Sequence, residues 1–249
     1  MPHVYAPQLR IDLGGDLAGP LGCIVYSFPF AAAVEMYGEI CDAPPATERL
    51  VACLAALPDR SWPTVEAVSR FSWLYMPAPS VPHWARLCSG LREVSCGAHN
   101  GEELAAALEG LAPVAGTLEA LRLSLTVYKG IKLDTVSHAA EALGRLGRLR
   151  QLQVYWGCTP GAGCLLTPAL VSLTSLLSLA VRGTTWAGAP LLQLPLLGLR
   201  PGSLKKLEFS CSKMLGALPH MGGVTALRQC RGDSMLARAE GRGPRAEGI

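Results

Sequence analysis

The sequence predicts an α/β array of stacked repeats in which a short strand and a helix alternate. A phrase of the form LxxLxL, with an aliphatic residue or Phe as its third anchor, occurs at residues 118–123, 149–154, 176–181 and 204–209. These phrases start 31, 27 and 28 residues apart (118 to 149, 149 to 176 and 176 to 204). Such a period is typical of repeat architectures, because one unit cannot bury its anchors without a neighbour. An all-helical array is the rival fold, but its repeats need about 34 residues or more.

The N-terminal part of the chain carries weaker signals. Leu9–Leu13 alternates apolar and polar residues, as a half-buried strand does. Thr47 is a suitable helix N-cap and predicts a helix whose buried face carries Leu50, Leu54 and Leu57.

The repeat array extends to the N-terminal side of Leu118. Residues 91–96 carry the same phrase, 27 residues before Leu118. Residues 65–70 lie 26 residues further back, but Arg70 stands at the third anchor position, so this repeat is degenerate. Residues 224–227 extend the array more weakly in the other direction.

Helix signals fill the intervals between the phrases. Asn100 is an N-cap with Glu103 three residues later, the spacing of a capping box. Leu104, Leu108 and Leu111 form the apolar face of that helix. Further helix starts are predicted at Asp134 and at Thr167–Pro168, and an irregular turn is predicted over 190–199.

Three regions follow from these patterns. Residues 1–60 form a poorly readable N-terminal region of degenerate repeats or a cap, and residues 61–230 form the repeat array. Residues 231–249 are rich in Arg, Gly and Ala with few large apolar residues, which predicts a disordered tail.

The five phrases between residues 91 and 212 resemble the leucine-rich repeat family. The resemblance implies a right-handed solenoid, or horseshoe, with parallel strands on the concave face and short helices on the convex face. It also implies a protein-binding role for the concave face. The family commonly places Asn or Cys three residues after the third anchor, and this sequence departs from that pattern with His99, Thr126, Gly157, Thr184 and Ser212.

Composition excludes several classes of protein. Half of the 249 residues are hydrophobic and 16% are charged, which argues against a disordered chain. The net charge of +3, with no block of Lys and Arg on a predicted face, gives no case for nucleic-acid binding. No apolar run reaches the roughly 18 to 20 residues of a membrane span, and the N-terminus does not read as a leader. We therefore expect a cytoplasmic protein with no membrane contact.

The residues that could carry chemistry are scattered. The nine cysteines are odd in number and lack a CxxC pair, which favours reduced thiols. Cys158 and Cys164 could close a disulfide loop or supply two metal ligands, but zinc needs four ligands. Motifs of the HExxH, GxSxG and GxGxxG types are lacking. We expect a non-catalytic protein with no metal and no cofactor.

The residues between and just after the anchors are predicted to face the concave side. Down the array, the first row reads Ser95, Arg122, Gln153, Ala180 and Glu208; the second reads Gly97, Ser124, Tyr155, Arg182 and Ser210; and the third reads Ala98, Leu125, Trp156, Gly183 and Cys211. Tyr, Trp and Arg often dominate interface energy. The predicted partner-binding residues are Arg122, Gln153, Tyr155, Trp156, Arg182 and Glu208.

These observations support two hypotheses of function. The first is a protein-interaction module that holds a protein partner on its concave face and is otherwise monomeric. The second is the substrate-receptor subunit of a ubiquitin ligase, in which an F-box precedes the repeats; residues 45–75 stand where an F-box would.

Overall fold

The chain folds into a mixed α/β structure built on one parallel sheet. A computed structural model describes residues 8–12, 30–37, 44–70, 75–126, 133–157, 169, 172–183, 204–211 and 226–231. In these residues an all-helical architecture is wrong, because strands and helices alternate along the chain.

Ten strands make up the described sheet. They are β1 (Gln8–Asp12), β2 (Ala33–Tyr37), β3 (Ala67–Arg70), β4 (Met76–Pro77), β5 (Glu93–Ala98), β6 (Ala120–Thr126), β7 (Gln151–Gly157), β8 (Ser178–Gly183), β9 (Lys206–Cys211) and β10 (Ala226–Arg231). The strands pair in sequence order, and every pair is parallel. Because β3 and β4 both pair with β5, the ten strands fill nine positions across the sheet.

Within the described ranges, four α-helices with defined bounds lie between these strands. They are α1 (Pro44–Ala55), α2 (Val81–Leu87), α3 (Gly101–Gly110) and α4 (Leu133–Gly144). Single turns of 3₁₀-helix at Ala78–Ser80 and Ala112–Val114 precede α2 and follow α3. No helix in the described part of the chain is both long and apolar enough to span a bilayer.

The anchors of the repeated phrase stack in register through the core. One row of directly paired residues contains Val94, Leu121, Leu152, Leu179 and Leu207, and each of them is buried. The first anchors Leu91, Leu118, Leu149, Leu176 and Leu204 are buried as well. The prediction that these residues point inward is therefore confirmed. Full burial of one such side chain contributes roughly 1.5 to 3 kcal/mol.

The degenerate repeat is completed by a residue outside its own phrase. Val65 and Val68 are buried as its first two anchors. At the third position Arg70 pairs with Met36, and residues 71–74 lie outside the described part of the chain. Met76 of β4 then pairs with Cys96 and is fully buried, so it fills the third anchor row beside β5.

The helix starts follow local capping chemistry. Asn100 caps α3 as predicted: the Glu103 amide donates to Asn100 Oδ1 at 2.8 Å, and Glu103 Oε2 accepts from the His99 amide at 2.9 Å. The prediction that α1 begins after Thr47 is wrong, because the helix starts at Pro44. Proline fits the first turn, where its missing N–H has no intrahelical partner.

A second group of buried residues joins α1 to α2. The indole rings of Trp62 and Trp84 stack with centroids 5.9 Å apart and planes 2° from parallel, and both side chains are fully buried. The Arg86 guanidinium donates to the carbonyl oxygens of Leu57 and Leu54, each at 2.8 Å. Arg86 thus adds hydrogen bonds to carbonyl groups at and just after the C-terminal end of α1, where the regular hydrogen bonds of the helix stop.

The three predicted regions meet within this sheet. β1 and β2 belong to residues 1–60, and β2 pairs with β3 across the predicted boundary at residue 60. Residues 232–249, almost all of the predicted tail, lie outside the described residues, as do Thr167–Pro168 and 190–199.

Anchor and neighbouring residues should respond differently to the same charged substitution. Leu152→Asp should lower the free energy of unfolding by at least about 3 kcal/mol, because it removes a buried side chain and places a carboxylate in the core. Gln153→Asp, one residue away on the other sheet face, should change it by no more than about 0.5 kcal/mol. Urea unfolding followed by circular dichroism measures both values. Equal effects would contradict the anchor assignment.

Candidate functional site on the polar face of the sheet

The sheet face opposite the buried anchors carries polar side chains arranged in rows. We call this surface the polar face and define it by the residues of two of these rows. The first row contains Ser95, Arg122, Gln153, Ala180 and Glu208, and the second contains Gly97, Ser124, Tyr155, Arg182 and Ser210. The register of β5 to β9 matches both predicted rows at every position. Arg122, Gln153, Tyr155, Arg182 and Glu208 therefore all lie on neighbouring strands of one face.

Two ion pairs bridge strands on the polar face. Arg122 Nη2 on β6 lies 2.8 Å from Glu93 Oε1 on β5, and Arg182 Nη2 on β8 lies 2.7 Å from Glu208 Oε1 on β9. Glu208 is only 7% exposed, and Lys206 Nζ lies 3.9 Å from its second oxygen. Both arginines thus stand on the strands that flank β7, and both carboxylates stand one strand further out.

Tyr75 also belongs to this site, although the sequence rows do not include it. Gly97 has no side chain, and a Cβ built there would lie 2.9 Å from the Cβ of Tyr75. The phenol is therefore seated against the bare backbone of β5. Ser95 and Ser124, on either side of this contact, are each only 6% exposed, so larger neighbours cover this part of the face.

The electrostatics of Tyr75 connect it to the predicted residues. Burial raises the pKa of the Tyr75 phenol above its ordinary value of 10.0. The positive charges of Arg182 and Arg122 act in the opposite direction and lower this pKa, while Tyr155 and Cys96 raise it. Two phenols and two guanidinium groups thus lie within electrostatic reach of one another. No sequence signal located Tyr75, because it lies outside the degenerate phrase at residues 65–70.

Trp156 occupies a different row from Tyr155. It pairs with Leu125 and Gly183, and Leu125 in turn pairs with Ala98. Leu125 and Ala98 are buried on the anchor side of the sheet, so the prediction that this third row faces the concave side is wrong at these two positions. The Trp156 side chain itself lies outside the described residues, so its predicted role in binding stays a prediction.

A further row of charges precedes the strands. Arg92 lies 3.6 Å from Glu66 and 3.5 Å from Glu119, and Arg150 lies 4.0 Å from the other oxygen of Glu119. The signs alternate across four successive strands. Because these side chains are largely exposed, each pair contributes little to stability.

Two thiols are buried in the described core. Cys88 and Cys96 are free thiols, and burial raises the pKa of Cys96 to about 12 and that of Cys88 still further, which makes both poor nucleophiles. Within the described ranges, no three His, Cys, Asp or Glu side chains are grouped so that they could hold a metal ion. Cys158 and Cys164 lie outside those ranges.

No protein-family model and no curated protein matches this sequence. The resemblance to leucine-rich repeats therefore rests on the repeated phrases alone.

The contact between Gly97 and Tyr75 should make Gly97 intolerant of a side chain. Gly97→Ala should lower the free energy of unfolding by about 1 to 3 kcal/mol, because the new methyl group would overlap Tyr75 near its backbone. Gly116→Ala is the matched control, since nothing lies within 4 Å of a Cβ at that position. Chemical denaturation measures both variants. Equal stabilities for the two would show that Tyr75 does not rest on Gly97.

The pKa of Tyr75 should depend on Arg182. Arg182→Gln should raise it further, because the variant removes a positive charge that favours the phenolate. The Tyr75 phenol binds its proton more tightly in the folded state than in the unfolded state. Its contribution to the free energy of unfolding is therefore complete below pH 10 and is lost as the pH rises through the folded-state pKa of Tyr75. Tyrosinate absorbance, taken as the difference from Tyr75→Phe, measures the titration. An unchanged pKa in Arg182→Gln would contradict the arrangement.

Proposed function

We propose that this chain is a non-catalytic protein-interaction module, a leucine-rich repeat solenoid that holds a protein partner on the concave face of its sheet. The architecture is supported by the order of the strands. Nine positions filled in sequence order by parallel strands are what stacked strand–helix units produce. Such arrays commonly use an extended concave surface for binding.

The observation that carries the proposal is the grouping of Tyr75, Tyr155, Arg122 and Arg182 on the polar face. Tyrosine and arginine are enriched among the few residues that supply most of the binding energy at protein interfaces. Gln153 lies beside them on the central strand and offers both a hydrogen-bond donor and an acceptor. The aromatic ring of a tyrosine can be desolvated on binding while its hydroxyl group keeps a hydrogen bond.

The partner is expected to be a protein, and the module is expected to be monomeric apart from that partner. A nucleic acid is disfavoured because Glu93 and Glu208 stand beside the two arginines, so the described side chains of this face form no uninterrupted run of positive charge. A catalytic role is disfavoured because, among the side chains that the structure describes on this face, no nucleophile is activated by a general base.

The ubiquitin-ligase alternative stays a prediction. Residues 45–75 contain most of α1 and all of β3, and β3 is paired on both sides within the sheet. A linker subunit that binds residues 45–75 would thus contact a segment that also contributes a strand to the sheet. Binding of the ligase's linker subunit to the full chain distinguishes this alternative from the interaction module.

Affinity capture from native extract tests the proposal. The full chain and the control Glu109→Ala, an exposed change on α3, should retain the same protein. Tyr155→Ala should lose most of it, because truncating an interface anchor costs about 2 kcal/mol or more, roughly a thirtyfold loss of affinity. Quantitative mass spectrometry measures the difference, and circular dichroism verifies the fold of each variant. Equal recovery by all three proteins would rule out the polar face as the binding surface.

A further inference from the structure

We propose that the polar face binds an acidic segment of its protein partner, with one Asp or Glu carboxylate held between Arg122 and Arg182 above Tyr155. This inference rests on the proposed function and specifies the chemistry of the partner. It follows from how charge is distributed across five neighbouring strands.

On the polar face the two arginines lie on the strands that flank the central strand. From β5 to β9 the charged residues are Glu93, Arg122, none on β7, Arg182, and the neighbouring pair Lys206 and Glu208. Positive charges therefore stand next to the centre, and both carboxylates stand one strand further out, with Lys206 beside Glu208. A single anion placed over β7 would lie between the two strands that carry the arginines, and the strands that carry the carboxylates are one position further away.

The arginines keep donors for such an anion. In each ion pair the closest contact is made by one terminal nitrogen, Nη2. A guanidinium has five N–H donors in a planar fork, which suits a carboxylate with two oxygens. The ion pairs with Glu93 and Glu208 also hold the long side chains in place, which reduces the conformational entropy that binding would cost.

Two phenols complete the surroundings of the central position. Tyr155 is directly paired with Arg182 on the next strand, and Tyr75 lies over Gly97 in the same row. Ser124 lies between Gly97 and Tyr155 in this row. Because its side chain is small, it leaves space above the sheet between the two tyrosines. Phenol hydroxyls donate hydrogen bonds to carboxylates, and hydrogen bonds to a charged acceptor are stronger than those between neutral groups.

A discrete carboxylate suits this arrangement better than an extended polyanion. Nucleic acids and anionic membranes are bound by many cations acting together. Here Glu93 and Glu208 lie on both sides of the arginine pair and would repel the neighbouring phosphates of a polyanion. The same carboxylates would attract Lys or Arg on either side of the central acidic residue, so the favoured segment carries a basic residue near the acidic one.

A selection from a random-peptide phage library against the full chain provides the probe. Selected peptides should contain Asp or Glu, and changing that residue to Asn or Gln should weaken binding at least about tenfold by fluorescence anisotropy. Arg122→Gln should reduce the affinity to a similar extent. Arg148→Gln should leave it within about twofold, since Arg148 is exposed and lies in the turn before β7, outside the two rows of the polar face.

Arg182 needs a paired variant because its removal leaves the buried Glu208 without its nearest cation. Arg182→Gln combined with Glu208→Gln removes both charges and keeps two hydrogen-bonding side chains of similar shape. This double variant should remain folded by circular dichroism and should still lose at least about tenfold in peptide affinity. Retained affinity in the folded double variant would overturn the inference.

The outcomes separate this inference from the proposed function. Peptides that lack acidic residues but lose binding in Tyr155→Ala would overturn the carboxylate site while supporting the polar face as a protein-binding surface. Peptides whose binding survives Tyr155→Ala and Arg122→Gln alike would overturn both. Acidic peptides that are fully displaced by an equal concentration of inorganic phosphate would show a simple anion site, which also overturns recognition of an acidic segment.

Discussion

The in-register burial of the apolar anchors is the constraint on which this structure depends. Each strand contributes alternate residues to the core, and the row from Val94 through Leu152 to Leu207 is continuous across five strands. A shift of one residue in any strand would turn its anchors toward solvent and its polar residues toward the core. Because neighbouring strands pair in order along the described sheet, the same burial sets the register that places the residues of the opposite face.

The polar face is a consequence of that register. Once Leu121 and Leu152 are paired, Arg122 and Gln153 must be neighbours, and so must Tyr155 and Arg182. The ion pairs then add an arrangement that the backbone does not specify, since Arg122 and Arg182 contact carboxylates on opposite sides. The core therefore supplies a rigid support, and the side chains on it are held by their own partners, which favours binding without large rearrangement.

The N-terminal half of the described sheet has the same buried anchor rows, but its sequence departs from the regular phrase. Arg70 breaks the third anchor row, and Met76 restores it after the intervening residues. The return of the chain at β4 also carries Tyr75 onto Gly97, next to the predicted site. In the adjoining segment the stacked Trp62 and Trp84 rings replace the leucine packing of the later repeats. An irregular repeat thus contributes a residue to the site that no regular repeat could supply.

The sequence by itself determined the alternation of strand and helix, the inward anchors, the Asn100 cap and the rows that contain Arg122, Gln153, Tyr155, Arg182 and Glu208. These features follow from local spacing and from a period that repeats, so a short window of residues is enough to specify them. Only the tertiary structure decided that Met76 replaces Arg70, that Tyr75 covers Gly97, and that each arginine pairs with the strand outside it. Those contacts join residues about 20 to 30 positions apart through the stacking of different repeats, and no local pattern encodes which long side chain reaches which neighbour.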